Sequence, residues 1–123
     1  MTIDANIIIG YLNGDAQLVA TLTTWKQAGT PLLPPTIVEA EVLSFPRLTP
    51  SERQVIGKFL EEHFISVPCD RTIARLAASL RSTSSIRLPD AIIAASALVT
   101  NTVLATRNVR DFRNIQGLML VTP

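Results

Sequence analysis

Four carboxylates stand apart from the other acids of this chain: Asp4, Glu41, Asp90 and Asp111. Asp4 interrupts the apolar opening MTIDANIIIGYL, between Ile3 and the run Ile7-Ile8-Ile9, where a first strand should end. Glu41 lies in Ile37-Val38-Glu39-Ala40-Glu41-Val42-Leu43, flanked by apolar positions of a helix expected to be mostly buried. Asp90 opens the most apolar helical pattern, and Asp111 follows closely on an apolar strand pattern. Each also has a plainer use. Glu41 suits a solvated helix surface, Asp90 complements a helix macrodipole from its first turn, and Asn108 or Asp111 suits a turn or a cap. Gathered at one rim, however, such carboxylates repel, and at least one pKa rises unless a cation neutralises them. With oxygen ligands and neither a His nor a Cys cluster, the hard ions Mg²⁺ or Mn²⁺ fit best. An ion of that kind activates water and stabilises charge on phosphate, so phosphodiester hydrolysis is the expected chemistry.

Whether the four acids meet depends on the elements that carry them. Thr2 to Asp4 reads as a short strand and Ala5 to Leu12 as a helix that Asn13-Gly14-Asp15 stops or bends. Leu18, Val19, Leu22 and Trp25 follow at helical spacing up to a cap at Gly29, with Trp25 assigned to the core. Leu32-Leu33 forms a second strand closed by Pro34-Pro35, and Thr36 with Glu39 reads as a capping box opening the helix of Glu41. Thr49-Pro50-Ser51-Glu52 repeats that device ahead of the stripe Val55, Ile56, Phe59 and Leu60, with His63 near the helix end either a favourable charge at the C-terminus or a surface residue. Ile65 to Val67 is a third strand, and Asp70 caps a helix carrying Ile73, Leu76, Ala77 and Leu80. After a polar loop over Ser82 to Ser85, Leu88-Pro89-Asp90 starts a helix whose stretch Ala91 to Val99 lacks a polar face and must be largely buried. Thr102 to Ala105 and Leu118 to Val121 supply the fourth and fifth strands. Glu39, Glu52 and Asp70 are thereby assigned to capping.

Strands and helices alternating through short connections imply a three-layer α/β/α fold around a mostly parallel five-stranded sheet. Ligands of such sheets sit beyond the carboxyl ends of the strands, the position Asp4 occupies.

At 123 residues, 47% hydrophobic and only 5% aromatic, the chain fits one domain over 1–123 with an aliphatic core. No apolar run approaches the roughly 20 residues of a membrane span, so a cytoplasmic protein is the default. The single cysteine, Cys69, reads as a small buried hydrophobe. A net charge of +1 excludes the strong basicity of a typical duplex-binding domain, so contact with nucleic acid must be local. Arg107 and Arg110 are the first candidates for phosphate contact, and Arg81 or Arg87 the second.

Four stretches, taken in order, carry a family likeness: Asp4-Ala5-Asn6, Glu41-Val42-Leu43-Ser44-Phe45-Pro46, Leu88-Pro89-Asp90-Ala91-Ile92-Ile93-Ala94-Ala95 and Thr106-Arg107-Asn108-Val109-Arg110-Asp111-Phe112. Together they cover nearly the whole chain, which resembles a PIN-domain ribonuclease of the VapC type, the toxin half of a type II toxin–antitoxin pair. The resemblance implies that Asp4, Glu41, Asp90 and Asp111 are the catalytic, metal-binding set, with Asn6 and Asn108 in support. It further implies Mg²⁺-dependent cleavage of RNA, a small VapB-type antitoxin whose tail blocks the acidic groove, and a homodimer. Two departures mark the chain. Ala5 stands where the family more often has Thr or Ser, and Asn108 stands where some relatives place an acid, leaving Asn108 and Asp111 as alternatives for completing the set.

Other classes fit less well. A phosphoaspartyl phosphatase would carry a second acid where Asn6 stands, and a receiver domain needs a lysine near the last strand, whereas the only lysines are Lys26 and Lys58. A PIN-like RNA- or protein-binding module without catalysis would be expected to lose its acids, which this chain keeps, and a PIN ribonuclease outside any toxin–antitoxin pair is the other alternative.

Overall fold

The hydrogen-bonded sheet is much smaller than the alternation of elements predicts. In the computed structural model, which describes residues 1–123, three two-residue strands pair in parallel in the order β1 (Thr2–Ile3), β2 (Leu104–Ala105), β3 (Leu120–Val121). Thr2 faces Leu104 and Ile3 faces Ala105, while Leu104 and Ala105 face Leu120 and Val121. The second and third predicted strands persist only as single parallel bridges, Thr2 to Leu33 and Pro35 to Val67. The five-stranded expectation is corrected accordingly, and proline is the reason. Pro34 and Pro35 have no N–H to donate, so this segment cannot build a continuous ladder. It accepts instead, with Ile65 donating to the Leu32 carbonyl at 2.9 Å and Val67 to the Pro34 carbonyl at 3.0 Å.

Seven helices complete the three-layer α/β/α arrangement: α1 (Ala5–Leu12), α2 (Ala16–Gln27), α3 (Thr36–Leu43), α4 (Pro50–His63), α5 (Arg71–Thr83), α6 (Leu88–Thr100) and α7 (Val109–Phe112). Local chemistry accounts for most of their starts. Asp15 accepts from the Leu18 N–H at 3.1 Å and Asp70 from the Ile73 N–H at 2.9 Å. Thr49 and Glu52 form the expected reciprocal capping box. The box predicted at Thr36 and Glu39 does not form: Pro35 is the N-cap, and Thr36 is already helical, its N–H donating to the Val67 carbonyl at 2.9 Å. The strand segment runs straight into α3, which leaves no room for a capping side chain.

Twenty-two buried hydrophobic residues form one cluster, to which α6 contributes Ala91, Ile93, Ala94, Ala95 and Ala97. Those small side chains let α5 and the sheet approach α6 closely. Trp25 is half-buried against this core, and His63 is exposed beside Phe59.

Three smaller expectations are also corrected. α5 runs through Thr83, so the polar loop begins at Ser84. Val55 is exposed, because the inner face of α4 is the line Ile56, Phe59, Leu60. Cys69 is exposed as well, lying where the chain turns between Pro68 and the Asp70 cap. No helix is long and apolar enough to cross a membrane.

Candidate active site

β1 is the point at which the strand order reverses, with the Leu33 and Val67 segments on one side and β2 and β3 on the other. The crevice beyond the carboxyl ends of such a pair is where parallel α/β sheets bind ligands. Asp4 leaves β1 and Thr106 leaves β2 at that crevice, tied by the Asp4 N–H donating to the Ala105 carbonyl at 3.1 Å.

Asp4 is 5% exposed and is also the N-cap of α1. Its Oδ1 accepts from the Ala5 N–H at 2.7 Å; its Oδ2 accepts from the Thr106 hydroxyl at 2.6 Å and the Asn6 amide at 3.1 Å. Both oxygens are therefore held without any hydroxyl at position 5. Burial pushes the Asp4 carboxyl above the usual carboxylate range and the negative charge of Asp111 adds to this, while the three hydrogen bonds oppose it.

Glu41, half-buried on α3, is raised by burial and then by the charges of Asp4 and Asp90. Asp90 lies in the first turn of α6 and is raised by burial and then by Asp4 and Asp111. Arg87 is the cation that lowers both, and its influence is outweighed. A cleft of about 420 Å³ is lined by Asp4, Asn6, Glu41, Arg87, Asp90 and Asn108, among others. Asp111, exposed in the first turn of α7, lines an adjoining cavity that shares Arg87 and Asp90 with the cleft. The fold thus brings together all four acids that the sequence singles out, three on one cleft and the fourth beside it. Asn6 braces Asp4, and the Asn108 amide donates to Asp111.

The basic candidates separate. The Arg107 guanidinium pairs with Asp15 at 2.6 Å, and its Nε donates to the Pro123 carbonyl at 3.2 Å. Arg81 donates to the Ile86 carbonyl at 3.2 Å. Arg87 and Arg110 instead face the cavity that holds Asp111.

Arg107 holds the Asp15 carboxyl below its ordinary value, with the Leu18 N–H assisting. An acid whose pKa is depressed on folding adds stability above its unfolded value, and that stability fades as the pH falls through the folded value. Asp15→Asn keeps a capping side chain and removes the charge. In thermal melts it is expected to lie below wild type at neutral pH, with the gap closing at acid pH and in high salt.

Thr106 is the residue that sequence reasoning missed. Fully buried, it donates to Asp4 and accepts from the Asn108 N–H at 2.9 Å and the Asn6 amide at 3.3 Å, so one hydroxyl joins all three. The available signal was a hydroxyl residue directly after a strand and two before an asparagine. Thr106→Val keeps the shape, strips the buried Asp4 of its shortest bond and takes the acceptor from the Asn108 N–H. Urea denaturation should show a loss of about 1.5–3 kcal/mol, and a loss under about 0.5 kcal/mol would remove Thr106 from this role.

No group of three or more His, Cys, Asp or Glu side chains closes around one point as a finished cage. The donor set nonetheless fits a hard divalent cation. All its donors are oxygens, its acids raise one another, and Mg²⁺ needs only one or two protein carboxylates because it keeps several of its waters.

An oxygen-donor cleft at the switch point of a parallel α/β/α sheet has the donors that metal-assisted chemistry on phosphate esters calls for. The family model for the PIN domain matches residues 1–118, and the chain belongs to that family. No curated protein matches it in sequence. Among solved structures it is similar to a toxin-antitoxin complex from Klebsiella pneumoniae, at 30% identity and a TM-score of 0.83, covering 99% of this chain and 96% of that one. VapBC2 from Rickettsia felis, bound to a DNA fragment from its promoter, shares the fold at 20% identity and a TM-score of 0.85, covering 99% and 97%. VapBC-1 from nontypeable Haemophilus influenzae does so at 22% and 0.80, covering 98% and 96%.

Proposed function

We propose that the chain is a single-domain, Mg²⁺-dependent endoribonuclease of the cytoplasm and the toxin of a VapBC-type toxin–antitoxin pair. The observation that carries this reading is the convergence of Asp4, Glu41, Asp90 and Asp111 at the switch point of a PIN-domain chain, each of the first three made less acidic by the charge of another. Uncompensated repulsion of that kind is a cost to folding, and it is relieved when a cation binds.

Asp4, Glu41 and Asp90, with Asp111 beside them, would hold the ion, Mg²⁺ or in its place Mn²⁺. Once bound, it supplies an activated water and charge neutralisation at phosphorus. The protein's share is placement. Thr106, Asn6 and the Ala5 N–H fix both oxygens of Asp4, and Asn108 orients Asp111. Among the basic residues, Arg110 is free for RNA phosphate, whereas Arg107 would first have to leave Asp15.

An antitoxin partner is supported by the toxin-antitoxin complexes that the chain resembles. Its seat would be the apolar pocket between α1, α3 and α4, lined by Ile9, Leu12, Val42, Phe45, Leu48 and Ile56. Ile9 also lines the acidic cleft, so a segment docked there can continue over the carboxylates. A homodimer is part of the same reading, and light scattering decides it.

The test is RNA cleavage by the purified chain. With Mg²⁺ the wild type should cut, EDTA should stop it, and Asp4→Asn or Glu41→Gln should lower the rate at least about 100-fold, the equivalent of roughly 3 kcal/mol of lost charge stabilisation. Equal activity in wild type and both variants would overturn the nuclease reading.

A further inference from the structure

Next to the acidic cleft lies a second cavity of different character. It has a volume of about 160 Å³, and Arg87, Arg110, Ser85 and Asn114 face it together with Asp90 and Asp111. Arg87 and Asp90 line both cavities, so the two adjoin. The chain's ion pairs are Arg107 with Asp15 and Lys58 with Glu62, which leaves the guanidiniums of Arg87 and Arg110 unpaired. Both residues are exposed.

We propose that Arg87 and Arg110 form a phosphate subsite, which seats the RNA phosphodiester adjacent to the one positioned over the carboxylates. This rests on the nuclease reading for its substrate. The chemistry follows from the groups present. Two planar guanidiniums offer paired donors that match the nonbridging oxygens of a phosphodiester, and the Ser85 hydroxyl and Asn114 amide add neutral donors at the same wall. A net charge of +1 supplies little long-range attraction for RNA, so strand binding must come from local cations of this kind. Two arginines beside two carboxylates also separate the roles. The acids repel the strand from their own surface, while the arginines hold it one phosphate away and set its register over the cleft.

The test is a binding titration that needs no cleavage. Fluorescence anisotropy of a labelled ten-nucleotide oligouridylate with the full-length chain is followed in EDTA from 50 to 200 mM salt. The double variant Arg87→Gln/Arg110→Gln should bind about tenfold more weakly. Its plot of log affinity against log salt should be shallower by about 0.7 or more, the contribution of one neutralised phosphate on a single strand. The variant Arg87→Lys/Arg110→Lys keeps both charges and should keep the wild-type slope, which a merely structural role would not require. Should the Gln pair fail to fold, each single Gln variant is read in the same way. A Gln variant with the wild-type slope, or a wild type that does not bind the oligonucleotide, overturns the subsite. So does a Gln variant that loses affinity for oligoglutamate but not for RNA. A wild type that binds but does not cut when Mg²⁺ is added overturns the nuclease reading and leaves the subsite standing.

Discussion

Asp90→Asn is expected to lower Mg²⁺-dependent RNA cleavage by about 100- to 1,000-fold while raising the melting temperature of the metal-free protein at neutral pH. Two accounts of Asp90 predict opposite signs for the second effect. As a first-turn acid it should stabilise α6 through the macrodipole, and its loss should cost about 0.3–1 kcal/mol. In the fold its surroundings work against the charge: burial comes first, then Asp4 and Asp111, and Arg87 does not outweigh them. An acid whose folded pKa is raised binds its proton more tightly in the folded state. The stability it contributes is complete below its unfolded value near 3.8 and is lost as the pH rises through the folded value. At neutral pH the ionised Asp90 therefore burdens the fold, and asparagine relieves it; below the unfolded value the two proteins should melt alike. Mg²⁺ should raise the melting temperature of the wild type more than that of the variant, since it binds the folded state alone. Differential scanning in EDTA at pH 7 decides the sign. A variant that melts lower there assigns Asp90 to the helix rather than to an ion.

Phe112→Ala is expected to cost about 3–5 kcal/mol in urea denaturation, a large share of the 5–15 kcal/mol typical of a whole domain. Phe112 is 0% exposed and is the one buried residue of α7, a helix of four residues. So short a helix has almost no stability of its own, so its position depends on that aromatic anchor. Asp111 and Arg110 precede Phe112 on α7. Loss of the ring should displace both from the cavity beside Asp90, so cleavage should fall even at temperatures where the variant remains folded. A cost below about 1 kcal/mol would mean that α7 is held instead by its backbone bonds, with Asp111 donating to the Asn108 carbonyl and Ile115 to the Phe112 carbonyl.

How far the site was legible differs from residue to residue. Asp4 and Glu41 could be picked out because each is a carboxylate in an apolar pattern, an expensive placement unless the charge has a use, and Asp90 because it opens the most apolar helix. The helices were legible for a local reason as well. Asp15, Thr49 with Glu52, and Asp70 cap through atoms at most three residues away. Where a neighbouring segment intervenes, the same logic fails, as at Thr36, whose N–H is taken by Val67. The arginines show the limit most plainly. Arg107 and Arg110 look equivalent in sequence, yet Arg107 is captured by Asp15, 92 residues away in the chain, and Arg110 is not.

By itself, then, the sequence determined the acids, the helices that carry Glu41 and Asp90, the parallel α/β class and the likeness to PIN-domain nucleases, because these depend on residue type, periodicity and short-range bonds. Pro34 and Pro35, already visible in the sequence, reduce five strands to three strands and two bridges, whereas tertiary structure decided the side-chain contacts of the site. It alone made Thr106 the residue that holds Asp4 and left Arg87 and Arg110 unpaired. Those outcomes rest on contacts such as Thr106 with Asp4, 102 residues apart, whose formation depends on how layers settle against one another and not on any pattern within a single segment.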